Sequence, residues 1–317
     1  MRIATIITIC VVTLLGINFS ANAQEAVWPE KTTYHYANVG GDKIFYRKAG
    51  NPQNPTLLLL HGYPSSSHTY RELIPLLSGR YHIIAPDNLG SGYSDKPDPN
   101  VVNYDFDLLA EKIIGLTKAL KINQFVIYMQ DFGAPVGFRV MMSNPEKIKA
   151  IIAQNANAYL EGIPKPKQDF FNNAQIDKSP ENIKKLYDFT SAAAIKNKQY
   201  LRDVMGNEEI MSPDSWIHDS YFLQTDKERR IQVALFQDYK TNLDDYPKWQ
   251  KFLKKHQFPT LLVWGKNDPV FTSAGAKAYL KDLQHAELHL IDAGHFAVEE
   301  KAVEIAKFIT GFLERKK

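Results

Sequence analysis

Six short apolar runs alternate with segments of helical period along this chain, and that alternation limits its architecture more than any other feature. TLLLLHG (56–62), YHIIAPD (81–87), QFVIYMQ (124–130), IKAIIAQN (148–155), PTLLVWG (259–265) and AELHLID (286–292) each centre on four to eight aliphatic or β-branched residues. They are too short for helices and too uniformly apolar for strands with a wet face. Segments such as DLLAEKIIGLTKAL and AVEIAKFITGFL carry the 3.6-residue period of helices that bury one face. Buried strands separated by amphipathic helices predict an α/β fold with a mostly parallel central sheet covered on both sides. Ahead of them, TYHYANVGGDKIFYRK (33–48) alternates around Gly40-Gly41 and predicts a β-hairpin.

One interval breaks the rhythm. Residues 158–248 are rich in Lys, Asp, Asn, Tyr and Trp, contain helical stretches such as PENIKKLYDF and KERRIQVALFQDYKTN, and lack a convincing buried strand. We assign them to a helical insertion over one edge of the sheet. Ligands bind beyond the carboxyl ends of parallel strands, so an insertion there is placed to act as a lid. The α/β core is then expected over 24–157 and 249–317.

The first residues differ in kind. Arg2, the apolar run IATIITICVVTLLGINFS and the small-residue pattern Ala21-Asn22-Ala23 match a cleavable secretory signal over 1–23, with cleavage after Ala23. The single cysteine, Cys10, lies inside it, so the mature secreted or periplasmic chain is expected to have neither disulfides nor thiolate chemistry. With 44% hydrophobic residues the remainder can build a sizeable core unaided. The 38 basic and 35 acidic residues are interspersed without long runs, which gives no reason to expect nucleic acid as a partner. No stable membrane association is expected after signal cleavage, and oligomeric state is left open.

Three polar residues fall just after predicted strands: Asp131 in QDFGAPVG, Asp268 in WGKNDP and His295 in DAGHF. Singly, each has a duller explanation. Asp131 suits a helix N-cap, Asp268 a turn before Pro269, and His295 an ordinary loop histidine. Together they follow the chain order nucleophile, acid, base, at three strand ends that open on one cleft. Ser94 follows no buried strand, and no G-x-S-x-G occurs, so the nucleophile position falls to the carboxylate.

On these motifs the chain resembles the α/β-hydrolase superfamily, and within it the branch of epoxide hydrolases and haloalkane dehalogenases. LLLLHGYP is similar to that branch's His-Gly-X-Pro motif, APDNLGSGYSDKP to its Asp-X-X-Gly-X-Gly-X-Ser stretch, and QDFGAPVG to its aspartate elbow. LLVWGKNDPVF and IDAGHFAVEE are similar to the segments that carry the acid and the histidine. The resemblance implies an α/β-hydrolase fold with a helical cap, and an Asp131 nucleophile that attacks saturated carbon to form an alkyl-enzyme ester. Water activated by His295, itself oriented by Asp268, would hydrolyse that ester, with the backbone N–H groups of Tyr63 and Phe132 as oxyanion donors.

For epoxides the resemblance implies a lid tyrosine as proton donor, and LFQDYKTNLDDY puts Tyr239 there, with Lys240 where Arg is usual. A second tyrosine is open among Tyr187, Tyr200 and Tyr221. For haloalkanes it implies N–H donors around a halide, which Phe132 and the Tyr63 side chain do not supply. Met129 stands where the elbow commonly has Gly, and Asn155 and Asn157 stand where some dehalogenases carry their acid. The expectation is a hydrolase of a small epoxide, without metal or organic cofactor. A halogenated alkane is the alternative substrate, and a degenerate hydrolase fold used as a binding protein is an alternative of another class.

Overall fold

The computed structural model describes residues 30–204 and 206–315, so the signal segment expected over 1–23, Cys10 included, lies outside the described residues. Strands β1 (Thr33–Val39) and β2 (Asp42–Ala49) pair antiparallel across Gly40 and Gly41, whose positive φ angles of 59° and 94° suit glycine. The six apolar runs form β3 (Thr56–Leu60), β4 (His82–Pro86), β5 (Phe125–Gln130), β6 (Ile148–Gln154), β7 (Thr260–Gly265) and β8 (Glu287–Ile291). Their order in one sheet is β1-β2-β4-β3-β5-β6-β7-β8, and β3 to β8 are all parallel.

The uniform hydrophobicity of the inner strands follows from two covered faces, while the edge strand β8 is only partly buried. Leu58 and Leu60 of β3 join one core with Ile127, Met129 and Ile151, packed under α2 (Phe106–Ala119) and α3 (Gly133–Ser143). Leu57 and Leu59 point the other way, to a second core with Val126, Tyr128 and Ile152 under α1 (Leu73–Ser78) and α10 (Ala297–Glu314). Period-2 alternation thus sends successive leucines into different cores.

Between β6 and β7 lie helices α4 (Lys165–Ile176), α5 (Pro180–Phe189), α6 (Ala192–Ala194), which widens into a π-helical turn over Ile195–Tyr200, α7 (Pro213–Tyr221) and α8 (Asp226–His256). Their starts are written locally: the hydroxyls of Ser179, Ser212 and Thr225 accept hydrogen bonds from backbone N–H groups of α5, α7 and α8, and Thr225 with Glu228 closes a capping box. The assigned boundary at residue 248 falls inside α8, which runs without interruption to His256 and ends at Gln257 in a left-handed conformation. One helix therefore serves both the segment over the sheet and the core beneath it. The short α9 (Ser273–Tyr279) follows β7. Among the described residues no helix is long and apolar enough to cross a membrane.

Candidate active site

β5 delivers its last residues to a sharp turn. Asp131 has φ of 50°, a left-handed conformation that costs a non-glycine residue roughly 1–3 kcal/mol and is held only where surroundings dictate it. Two glycines make room for it. A Cβ on Gly62 would stand 2.2 Å from the Asp131 Cβ, and one on Gly133 would stand 2.1 Å from the Leu60 carbonyl oxygen. The helix-cap explanation for Asp131 fails on geometry. Phe132 occupies the N-cap position of α3 without any side-chain cap, while the Asp131 carboxylate points away from the helix. Its Oδ1 accepts the Tyr63 N–H at 2.8 Å, and its Oδ2 lies 3.2 Å from His295 Nε2.

Met129, which replaces the usual elbow glycine, is accommodated by a glycine elsewhere. A Cβ on Gly137 of α3 would meet the Met129 sulfur at 2.3 Å, so the missing side chain on the helix leaves the space that the methionine fills. The small residue has moved from strand to helix, and the elbow keeps its close packing.

The histidine is held on every side. Its Nδ1 is 2.7 Å from Asp268 Oδ2, its backbone N–H donates to Asp203 Oδ2 at 3.0 Å, and its carbonyl accepts from Gln154 Nε2 at 3.2 Å. Asp268 is buried, and its Oδ1 accepts the backbone N–H groups of Val270 and Phe271 at 2.7 and 3.1 Å. Asn155 Nδ2 donates to Asp268 Oδ2 at 2.8 Å, while its Oδ1 accepts the Gly265 N–H at 3.0 Å. Burial alone would raise the Asp268 pKa, but the His295 charge and these donors bring it below the ordinary carboxylate range. For His295, burial favours the neutral ring, yet the Asp268 charge and the hydrogen bonds to Asp131 and Asp268 outweigh it and raise the pKa to about 10. Its position between two carboxylates favours the protonated ring.

His61 is structural, as its motif suggests: Nε2 accepts the Asn88 N–H at 3.0 Å, Nδ1 faces the Gly62 carbonyl at 3.0 Å, and burial keeps the ring neutral. Ser94 is a turn residue, its hydroxyl spent on the Asp87 carbonyl and the Phe45 N–H. Of the two expected oxyanion donors, the Tyr63 N–H already points at Asp131, and the Phe132 N–H makes no hydrogen bond within the protein among the described residues.

The helices between β6 and β7 close over this point. Tyr239 of α8 is buried, stacks on Phe171 of α4 at 3.9 Å between ring centroids, and lies 5.3 Å from the Phe132 ring. Burial and the neighbouring Tyr246 phenol raise its pKa, and the Tyr246 hydroxyl accepts from Asn157 Nδ2 at 3.2 Å. None of the three tyrosines considered as its partner is placed for that role. Tyr187 lies beneath the Arg229 guanidinium, Tyr200 donates to Asp219 at 2.5 Å, and Tyr221 is exposed. Tyr246 was visible in the same DYKTNLDDY segment. It stands seven residues, two helical turns, after Tyr239 and so shares its face.

The model for the α/β hydrolase fold family matches residues 55–302. The chain belongs to the α/β-hydrolases. An uncharacterised hydrolase of Saccharomyces cerevisiae is 41% identical over 273 residues, covering 85% of this hydrolase and 92% of the yeast protein. Among solved structures, a haloalkane dehalogenase from Bradyrhizobium elkani superposes with a TM-score of 0.76 at 21% identity, covering 90% of this chain and 99% of its own. An epoxide hydrolase from Vigna radiata superposes with a TM-score of 0.72 at 21% identity, covering 90% and 98%. At these identities the two structures bear on the fold.

Motif reading had assigned no role to several groups that hold the hydrolase's site together. Asn155 steadies the acid, Asp203 ties the His295 backbone to the helices above, and Gln130 Oε1 accepts the Gly62 N–H at 3.2 Å. Asn155 had a signal, since it follows β6 at the edge that bears the other site residues, and its φ of 45° marks it further. Asp203 had none, because its contact joins residues 92 positions apart.

Proposed function

We propose that this hydrolase cleaves a small epoxide through an alkyl-enzyme ester on Asp131. The observation that carries the reading is the pairing of the two Asp131 oxygens: Oδ1 is held by the Tyr63 N–H, and Oδ2 stands 3.2 Å from the imidazole that Asp268 orients. Oδ2 attacks a ring carbon, the carbon–oxygen bond of the epoxide breaks, and the departing alkoxide takes a proton from Tyr239. The ester has no negative charge, so His295 loses one of the two carboxylates that hold its proton, and its pKa falls toward the range of a working base. It passes that proton to the Tyr239 phenolate, and the neutral imidazole then removes a proton from water as the hydroxide adds to the Asp131 carbonyl carbon. The Tyr63 and Phe132 N–H groups stabilise the resulting oxyanion. Collapse expels the ester oxygen as an alkoxide that takes the proton of the acid so formed, so the diol leaves with Asp131 again a carboxylate, Tyr239 a phenol and His295 an imidazolium.

The arrangement supports epoxides over haloalkanes in one respect. A halide needs N–H or O–H donors beside the nucleophile, yet Phe132 has none in its ring and the Tyr63 hydroxyl donates to the Phe189 carbonyl at 3.1 Å. Tyr239 is buried on α8 with its ring 5.3 Å from that of Phe132, which puts a phenol on the side of the site where a departing alkoxide needs a proton. The test is covalent trapping. In a His295→Gln variant, incubation with an epoxide is expected to leave an ester on the Asp131 peptide, detected by mass spectrometry. Adducts from bromoalkanes but from no epoxide would move the substrate to halides. Turnover of activated esters with no adduct from any electrophile would overturn the Asp131 nucleophile.

A further inference from the structure

The wall that leads away from Asp131 is aromatic, and a cation sits at its far end. Tyr63, whose N–H holds the nucleophile, has its ring 6.1 Å from Phe189 and 4.7 Å from Phe236. Phe189 and Phe236 both pack on Phe170, at 5.7 and 5.9 Å. Over Phe170 and Phe189, at 5.0 and 5.7 Å from their centroids, lies the ammonium of Lys167. Lys167 belongs to the first turn of α4, close behind the carboxyl end of β6.

Its neighbours in sequence behave differently. Lys165 pairs with Asp169, and Lys184 with Asp188, each one helical turn away on an exposed surface. Lys167 is only partly exposed and pairs with no carboxylate among the described residues. Arg202 is already neutralised by a two-point contact with Asp203, and Arg229 is tied to the Thr190 hydroxyl and the Tyr187 carbonyl. Burial and Arg202 draw the Lys167 pKa down, against the opposing charges of Asp131 and Asp268, so this ammonium lies within the field of the reacting carboxylates. A half-buried cation on aromatic faces, without a counter-ion among the described residues, is short of one anionic partner.

We propose that Lys167 is a specificity-determining residue that binds an anionic group of the substrate, a carboxylate, at the end of the aromatic wall remote from Asp131. The inference rests on the reading of Asp131 as the reacting group. The substrate class becomes an epoxy acid whose chain spans from the nucleophile to Lys167, its apolar body lying along Phe170, Phe189 and Phe236. The ammonium offers a point charge and three donors, which suits a carboxylate without a fixed orientation.

Binding is measured by calorimetry with unreactive probes, so its outcome does not depend on chemistry at Asp131. The probes are ω-phenylalkanoates from phenylacetate to phenylbutyrate and their matching primary amides, titrated into the wild-type enzyme and into Lys167→Met and Lys167→Arg variants. At least one carboxylate is expected to bind the wild type ten times or more tighter than its amide. That ratio should collapse toward unity in Lys167→Met, survive largely in Lys167→Arg, and shrink as salt is raised. Equal binding of acid and amide, no measurable binding of any acid, or an unchanged ratio in Lys167→Met would overturn the proposal. In parallel, trapping of a neutral epoxide on Asp131 in His295→Gln reads the nucleophile separately. An adduct there with no acid preference would sink the role of Lys167 alone.

Discussion

Asn155 shows how much of the chemistry depends on a residue that touches no substrate. One amide satisfies two buried groups: its Nδ2 donates to Asp268 Oδ2 at 2.8 Å, and its Oδ1 accepts the Gly265 N–H at 3.0 Å. Gln154 reinforces it by donating to the same Oδ1 at 2.7 Å. Truncation to alanine leaves a buried carboxylate oxygen and a buried N–H short of a partner, each a loss of about 1–3 kcal/mol where water cannot enter. Asn155→Ala is therefore expected to lower unfolding free energy by about that amount in urea denaturation. It should also slow the hydrolytic half-reaction, because a less well-held Asp268 orients His295 less firmly. Unchanged stability with normal turnover would mean that Asn155 only fills space. The residue was legible as a strand-end asparagine, but its contact with an acid 113 positions away was not. Tyr246 is similar: the sequence placed it on the face of Tyr239, and only packing decided that its hydroxyl accepts from Asn157.

At the scale of elements, the elbow and the helix behind it share one packing problem. Met129 on β5 occupies the volume that Gly137 on α3 leaves open, and an added Cβ would lie 2.3 Å from the sulfur. Gly137→Ala alone is expected to destabilise by about 1–3 kcal/mol through overpacking, because gains in helix propensity of about 1 kcal/mol are smaller than the clash. In a Met129→Ala background the same change should cost little or be favourable, since the smaller side chain returns the space. A double-mutant cycle checks this, and additive effects would show that the two residues do not compete for volume. The strands themselves were legible within one or two residues at each end, because burial on both faces leaves an unbroken apolar run. The end of the inserted segment was less legible. No composition change marks the point where α8 passes from covering the sheet edge to packing beside it.

For the whole molecule, the charge arrangement at the site sets a pH dependence of stability. His295 has its folded pKa raised to about 10, against about 6.5 in an unfolded chain. The folded state then holds a proton that the unfolded state has released throughout that interval. The contribution is fully present below about pH 6.5 and is lost as pH rises toward 10, with a slope approaching about 1.4 kcal/mol per pH unit at most. Unfolding free energy measured from pH 6 to 10 should decline, and the decline should weaken in a His295→Gln variant. A flat profile in the wild type would mean that the imidazole is neutral at rest. On the proposed mechanism, His295 would stay protonated until Asp131 is esterified, so alkylation itself would ready the base.

The sequence by itself determined the alternation of strands and helices, the hairpin at Gly40-Gly41 and the positions of Asp131, Asp268 and His295. All of these follow from local patterns: side-chain period, turn residues, and polar groups at strand ends. The family was legible for the same reason, since its motifs are short and contiguous. Tertiary structure alone decided which atoms meet. Asn155 lies against Asp268, Asp203 against the His295 backbone, Met129 in the gap at Gly137, and Lys167 over Phe170 and Phe189. Most of these contacts join residues far apart along the chain, and all depend on side-chain direction and shared volume, which no periodicity encodes.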